Sequence, residues 1–68
     1  MAQAVKVGEL YRRVGPNQPT WQVVGFLQNA PLPHAKLQKL DVPEATMAIG
    51  VAALIDRRYF IRVIAPRA

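Results

Sequence analysis

The sequence predicts a mostly β domain, on three observations. Short stretches of alternating apolar and polar residues recur along the 68 residues, Pro and Gly clusters separate them, and an apolar fraction of 51% suffices for a core. The rest is organised around Thr20-Trp21-Gln22-Val23-Val24-Gly25-Phe26-Leu27, which holds the single tryptophan. Alternation sends Trp21, Val23 and Leu27 to one face of a strand and Gln22 and Gln28 to the other. A Trp buries on the order of 200 Å², so that face is the expected core and Trp21 its anchor.

A chain of this length is expected to form a single domain, residues 1–68. It buries only about 60% of its unfolded surface. There is no cysteine to staple it, so stability must come from the core or from a partner subunit.

Taken in order, residues 5–14 (VKVGELYRRV) read as a first strand, with Gly8 allowing a bulge and Arg12-Arg13 closing it. Gly15-Pro16-Asn17-Gln18-Pro19 is a turn, because Gly tolerates positive φ and neither proline can sit inside a ladder. A hairpin therefore joins this strand to residues 20–27, where Gly25 is expected to bend the chain. Asn29-Ala30-Pro31-Leu32-Pro33 forms the next loop, stiffened by its prolines. Residues 34–40 (HAKLQKL) give a third strand, with Lys36 and Lys39 expected outside. Tyr59-Phe60-Ile61-Arg62-Val63-Ile64 gives the last, rich in aromatic and β-branched residues.

Residues 41–55 admit two readings. In one, Asp41 caps a helix, Pro43 lies in its first turn, and Ala48, Val51, Ala52 and Ile55 form an apolar stripe. In the other, Pro43-Glu44-Ala45 is a turn, residues 46–51 are a strand with Met47, Ile49 and Val51 inward, and residues 52–56 make a short 3₁₀ turn. Gly50 would cost a helix about 1 kcal/mol, and its neighbours Ile49 and Val51 are β-formers.

The chemistry available is narrow. The chain has no Ser and no Cys, which removes the commonest nucleophiles and the triads built on them. Thr20 and Thr46 have no plausible base beside them. Asp41 and Glu44 flank a proline turn, where capping accounts for both. The only histidine, His34, cannot build an ordinary zinc site without cysteine. It is read either as a protonation gate or as a histidine hydrogen-bonded to backbone. Asp56 is read as the acceptor of a backbone N–H in its turn. Gly8, Gly15, Gly25 and Gly50 are too far apart for a phosphate loop. The expectation is a protein that is not an enzyme, with no cofactor, no metal and no small-molecule substrate.

The charge is the suggestive feature. Nine Lys and Arg against four Asp and Glu leave +5, a balance that attracts polyanions. Arg57, Arg58 and Arg62 cluster with Tyr59 and Phe60 near the C-terminus, and Arg12, Arg13, Lys36 and Lys39 come from other strands. Arginine beside an exposed aromatic ring suits single-stranded nucleic acid, where bases stack and phosphates pair. The competing reading is an ordinary solvated face, because a strand must bury one of Tyr59 and Phe60. The longest nearly uncharged stretch, residues 45–55, is about half a bilayer span, and no leader pattern is visible. With the lack of cysteine, this leads one to expect a soluble cytoplasmic protein with no membrane contact.

Trp21-x-Val23, Pro33-His34-Ala35-x-Leu37 and Ile49-x-Val51-x-Ala53-Leu54-x-Asp56, followed by Phe60 and Val63, resemble the pattern of a group of short bacterial proteins across residues 8–63. The spacing also resembles a small five-stranded barrel of Src-homology-3 type, in which a short 3₁₀ turn precedes the last strand. That resemblance favours strand plus 3₁₀ turn for residues 46–56. The alternative is an α+β fold, a small sheet with one helix over 43–55. The resemblance implies no activity, since barrels of this shape serve as peptide-, RNA- and subunit-binding modules. The expected function is binding to RNA or single-stranded nucleic acid through Arg57, Arg58, Arg62, Arg12, Arg13, Lys36 and Lys39. The alternative is a protein-interaction module or small homodimer that uses a sheet edge or an apolar groove.

Overall fold

The computed structural model describes residues 5–27 and 32–64. Five strands form one antiparallel sheet: β1 (Leu10–Arg13), β2 (Thr20–Leu27), β3 (His34–Lys39), β4 (Thr46–Gly50) and β5 (Phe60–Val63). One short helix, α1 (Val51–Leu54), links β4 to β5. The strand order is β4-β3-β2-β1-β5. The molecule is therefore mostly β, but the expected barrel is not closed. β4 and β5 are the two edges and share no ladder, so the sheet is open.

An open sheet with a short helix is the architecture of the α+β alternative. The helix, however, takes only Val51–Leu54 of residues 43–55. Residues 46–50 are strand because each lies opposite a residue of β3, from Thr46 against Gln38 to Gly50 against His34. The long-range ladder overrides the local helix signal. The helical segment then tightens as it ends: the Ile55 N–H reaches the Val51 carbonyl with α spacing, and the Asp56 N–H reaches Ala53 with 3₁₀ spacing.

The first strand is shorter than the alternation predicts. Residues 5–9 precede it in a turn in which Gly8 has φ +97° and donates its N–H to the Val23 carbonyl at 2.8 Å. Val5 is nevertheless fully buried, so it contributes to the core from outside any strand. The turn at 15–19 forms as its residue types require, with Gly15 at φ +132° and Asn17 at φ 57°.

The core is Val5, Tyr11, Val23, Ala35, Leu37, Leu54 and Phe60, with Trp21, Phe26, Met47, Ile49 and Val51 packed against it. Trp21 is thus a half-buried rim residue and not the anchor, which passes to Val23 and Leu37, both at zero exposure. The strand face also changes along β2. The register slips between Val23 and Gly25, so Val24 is a surplus residue, Phe26 comes opposite the buried Ala35, and Leu27 comes opposite His34. Leu27, expected inside, is therefore exposed, and Phe26 takes the inward position.

Candidate functional site

Strand register places five of the seven basic residues proposed above, and the turn after α1 carries the other two. Arg12 lies level with Thr20 and Ile61 on the outer face of the sheet, away from the core, and is exposed. Lys36 is also outside and exposed, opposite Ala48. Lys39 is not on that face. It shares its side with Leu37, stands opposite Trp21 and is half-buried. Arg13 is opposite Phe60, and its guanidinium carbon lies 5.3 Å from the Phe60 ring centroid. Arg62 is opposite Tyr11, on the inner face at the edge strand. Arg57 and Arg58 occupy the turn between α1 and β5, and both are exposed. The set therefore divides among an outer face, an inner rim and a turn, and does not converge on one surface.

Two local assemblies do form. In the first, the Asp56 carboxylate fixes Arg58: Oδ1 accepts the Arg58 backbone N–H at 3.0 Å and Nε–H at 3.1 Å, and Oδ2 accepts from Nη2 at 2.8 Å. These hydrogen bonds, the side-chain ones foremost, hold the Asp56 carboxyl down to about 2 and raise Arg58 above its ordinary value. The turn reading of Asp56 is met, and the same residue also orients an arginine. The Arg58 guanidinium carbon lies 5.5 Å from the Tyr59 ring centroid. Phe60 is the buried ring, whereas Tyr59 is 55% exposed.

The second assembly centres on Glu9, a residue that sequence reasoning missed. Its Oε1 accepts the Lys6 backbone N–H at 2.9 Å and the Tyr11 hydroxyl at 3.0 Å. Its Oε2 meets Arg62 Nη2 at 3.1 Å. Burial pushes the Glu9 carboxyl up, but the Lys6 N–H, the Tyr11 hydroxyl and the Arg62 charge outweigh it and leave the pKa below the usual carboxylate value. Burial, together with the hydrogen bond to Glu9, raises Tyr11. The signal available in sequence was a lone acid at the start of a basic strand, which by itself says only that the charge is solvated.

Beside these assemblies, Arg57 and Arg62 together line a cleft of ≈ 380 Å³ with Ile61 and Ile64. The same pair lines a smaller one of ≈ 170 Å³ against Tyr11, Leu54, Ile55 and Phe60. A second region is apolar: Leu32, Pro33, Gly50, Val51, Ala52 and Ile55 line a groove of ≈ 440 Å³ at the end of β4. His34 borders it, and its Nδ1–H donates to the Leu32 carbonyl at 2.8 Å, the backbone-bonded role read as its structural option. Asp41 and Glu44 lie on an exposed turn in which the Ala45 N–H bonds the Val42 carbonyl. Among the described residues, no three of His, Asp and Glu gather in a way that could hold a metal, and no helix is long and apolar enough to cross a membrane.

No family model, curated protein or solved structure significantly matches the chain.

All four acids, Glu9, Asp41, Glu44 and Asp56, lie outside the strands. The strands themselves carry Arg12, Arg13, Lys36, Lys39 and Arg62. Two of the acids are committed, to Arg62 and to Arg58. The strands thus present cations and apolar groups, Val24, Leu27 and Ile61 among them, to solvent and contribute no carboxylate.

Proposed function

We propose that the protein is a binding module for RNA or other single-stranded nucleic acid, acting without catalysis and without a cofactor. The observation that carries this reading is Tyr59, more than half exposed and flanked by Arg58, which Asp56 holds in place. A ring fixed in this way offers a stacking surface for a base. Arg57 and Arg62 at the neighbouring cleft suit a phosphate on one side of it, and Arg12 and Lys36 extend the positive surface over the outer face. The strands contribute no acid to that path, and the two acids beside it, Glu9 and Asp56, are paired with Arg62 and Arg58. The poor supply of nucleophiles and metal ligands supports binding over turnover. The cysteine-free sequence suits a bacterial cytoplasm. A likeness to the Src-homology-3 type rests on the helical turn between the last two strands, and the open edges depart from it.

Fluorescence anisotropy with a labelled single-stranded RNA, over a series of salt concentrations, tests the reading. Log affinity is expected to fall by about 0.7 per neutralised phosphate for each unit of log salt. Arg57→Ala with Arg58→Ala should lower that slope with the circular dichroism spectrum unchanged. Tyr59→Ala should weaken binding by roughly tenfold, the scale of one lost stacking contact, while leaving the slope alone. If the protein fails to bind any oligonucleotide at low salt, the reading is wrong.

A further inference from the structure

β4 is an edge of the sheet, with β3 as its one strand neighbour. In the ladder between β3 and β4, the Lys39 N–H reaches the Ala45 carbonyl and the Val51 N–H reaches the Pro33 carbonyl. The register is constant between these points. In an antiparallel ladder, every second residue bonds the same neighbour. Met47 and Ile49 therefore point both N–H and C=O toward β3, as do the Ala45 C=O and the Val51 N–H. Thr46 and Ala48 point both N–H and C=O to the open side, as does the Gly50 N–H. Among the described residues, no backbone bond comes from that side to Thr46 or Ala48.

Exposed edges are ordinarily blocked by charge, proline or a bulge. β4 has none of these: Thr46-Met47-Ala48-Ile49-Gly50 is uncharged, free of proline and regular in register. The opposite edge, β5, contains Arg62, and one of its edge-facing donors, the Phe60 N–H, is already bonded to the Asp56 carbonyl. The two edges are therefore unequal, and β4 is the one left open to strand addition.

We infer that β4 pairs antiparallel with β4 of a second copy of this chain, about a two-fold axis at Ala48. The occupant follows from self-complementarity. With Ala48 opposite Ala48, Thr46 comes opposite Gly50 in both directions, and about four backbone hydrogen bonds close. The side chains opposed on the outer face, those of Thr46 and Ala48 with Gly50, are small and neutral. On the inner face, the half-buried Met47 of each copy comes opposite the half-buried Ile49 of the other. The pairing also carries the turn ahead of β4 past Gly50 of the other copy. That turn holds Val42, which is 40% exposed, and it comes toward the apolar groove of Val51, Ala52 and Leu32 at the same end of the strand. A foreign peptide would satisfy the backbone but not this second contact.

Sedimentation equilibrium over about 5 to 500 µM at physiological salt tests the inference. The expected result is a mass that rises toward twice the 7.6 kDa of one chain. Higher salt should strengthen the dimer, because each copy carries +5; nucleic-acid binding should weaken under the same change, so the two readings can fail separately. By circular dichroism and sedimentation, Ala48→Lys, which adds a second cation beside Lys36, should be a folded monomer, and Ala48→Glu, whose charge Lys36 offsets, a folded and weaker dimer than the wild type. An equal mixture of the two should associate about tenfold more tightly than either alone, since opposite charges then face across the axis. A wild-type chain that stays monomeric throughout, an Ala48→Lys variant that remains dimeric, or a mixture no tighter than its components would each overturn the proposal.

Discussion

Replacing Glu9 with alanine should be among the most damaging changes available outside the apolar core. The side chain is 13% exposed and serves three donors: the Lys6 N–H at 2.9 Å, the Tyr11 hydroxyl at 3.0 Å and Arg62 Nη2 at 3.1 Å. Arg62 is 60% exposed, so its share is less than about 1 kcal/mol. The other two are charge-assisted hydrogen bonds, and the Tyr11 hydroxyl, on a buried ring, loses its acceptor. A total loss of about 2–3 kcal/mol follows, which in a domain this small corresponds to a drop of roughly 10–20 °C in the thermal midpoint. Glu9→Gln keeps an acceptor for both donors and should cost only about 1 kcal/mol. The pH dependence adds a second readout. The Glu9 pKa is lowered on folding from 4.5, so its contribution is complete above the unfolded value and is lost as pH falls through the folded one. Urea unfolding followed by circular dichroism at pH 7 and near pH 3 should therefore show Glu9→Gln losing less stability on acidification than the wild type. Asp56, held down to about 2, supplies the acid sensitivity that remains in the variant. The reasoning fails if Glu9→Ala stays within about 0.5 kcal/mol of wild type, or if Arg62→Met costs as much as Glu9→Ala, since the weight would then rest on the exposed ion pair.

Two further outcomes are expected. Leu37→Ala, at zero exposure, should destabilise by about 2–5 kcal/mol and exceed Trp21→Ala, whose half-buried ring leaves a wet gap and no sealed cavity; thermal unfolding that ranks them the other way would restore Trp21 as the anchor. Gly15→Ala should cost about 1–2 kcal/mol in chemical denaturation, because its φ of +132° strains any L side chain even though a Cβ would meet only Gln18 at an ordinary 3.8 Å.

The hairpin turn, the second and last strands and the mostly β character could be read from local chemistry. Gly15 and Asn17 adopt positive φ, as those residue types allow, and Phe60–Val63 pairs along β1 as an aromatic and β-branched stretch would. What could not be read depends on partners distant in sequence. Residues 46–50 are strand only because β3 lies beside them. The inward turn of Phe26 follows from a register slip against β3, invisible in the alternation of β2 alone. Val5 is buried by the packing of a turn, for which no period exists. The basic residues show the same limit. Lys36 and Lys39 are three apart, so a strand places them on opposite faces, and Arg57 and Arg62 come to one cleft only through the turn after α1. Tyr59 and Phe60 could be sorted into one exposed and one buried ring, but the choice between them needed β1.

The surplus residue in β2 determines how this sheet can change length. Were Val24 removed, Gly25 would follow Val23 directly and could still face Lys36, Phe26 could still face Ala35, and Leu27 could still face His34. The strand would lose its local bend but keep every side chain on its present side. Removal of Gln22 would instead reverse the facing of the residues on one side of the cut, exchanging buried for solvated positions. A chain descended from the same ancestor could therefore lack a residue at this point and preserve an identical core, and the two sequences would show their kinship only when a gap is opened there.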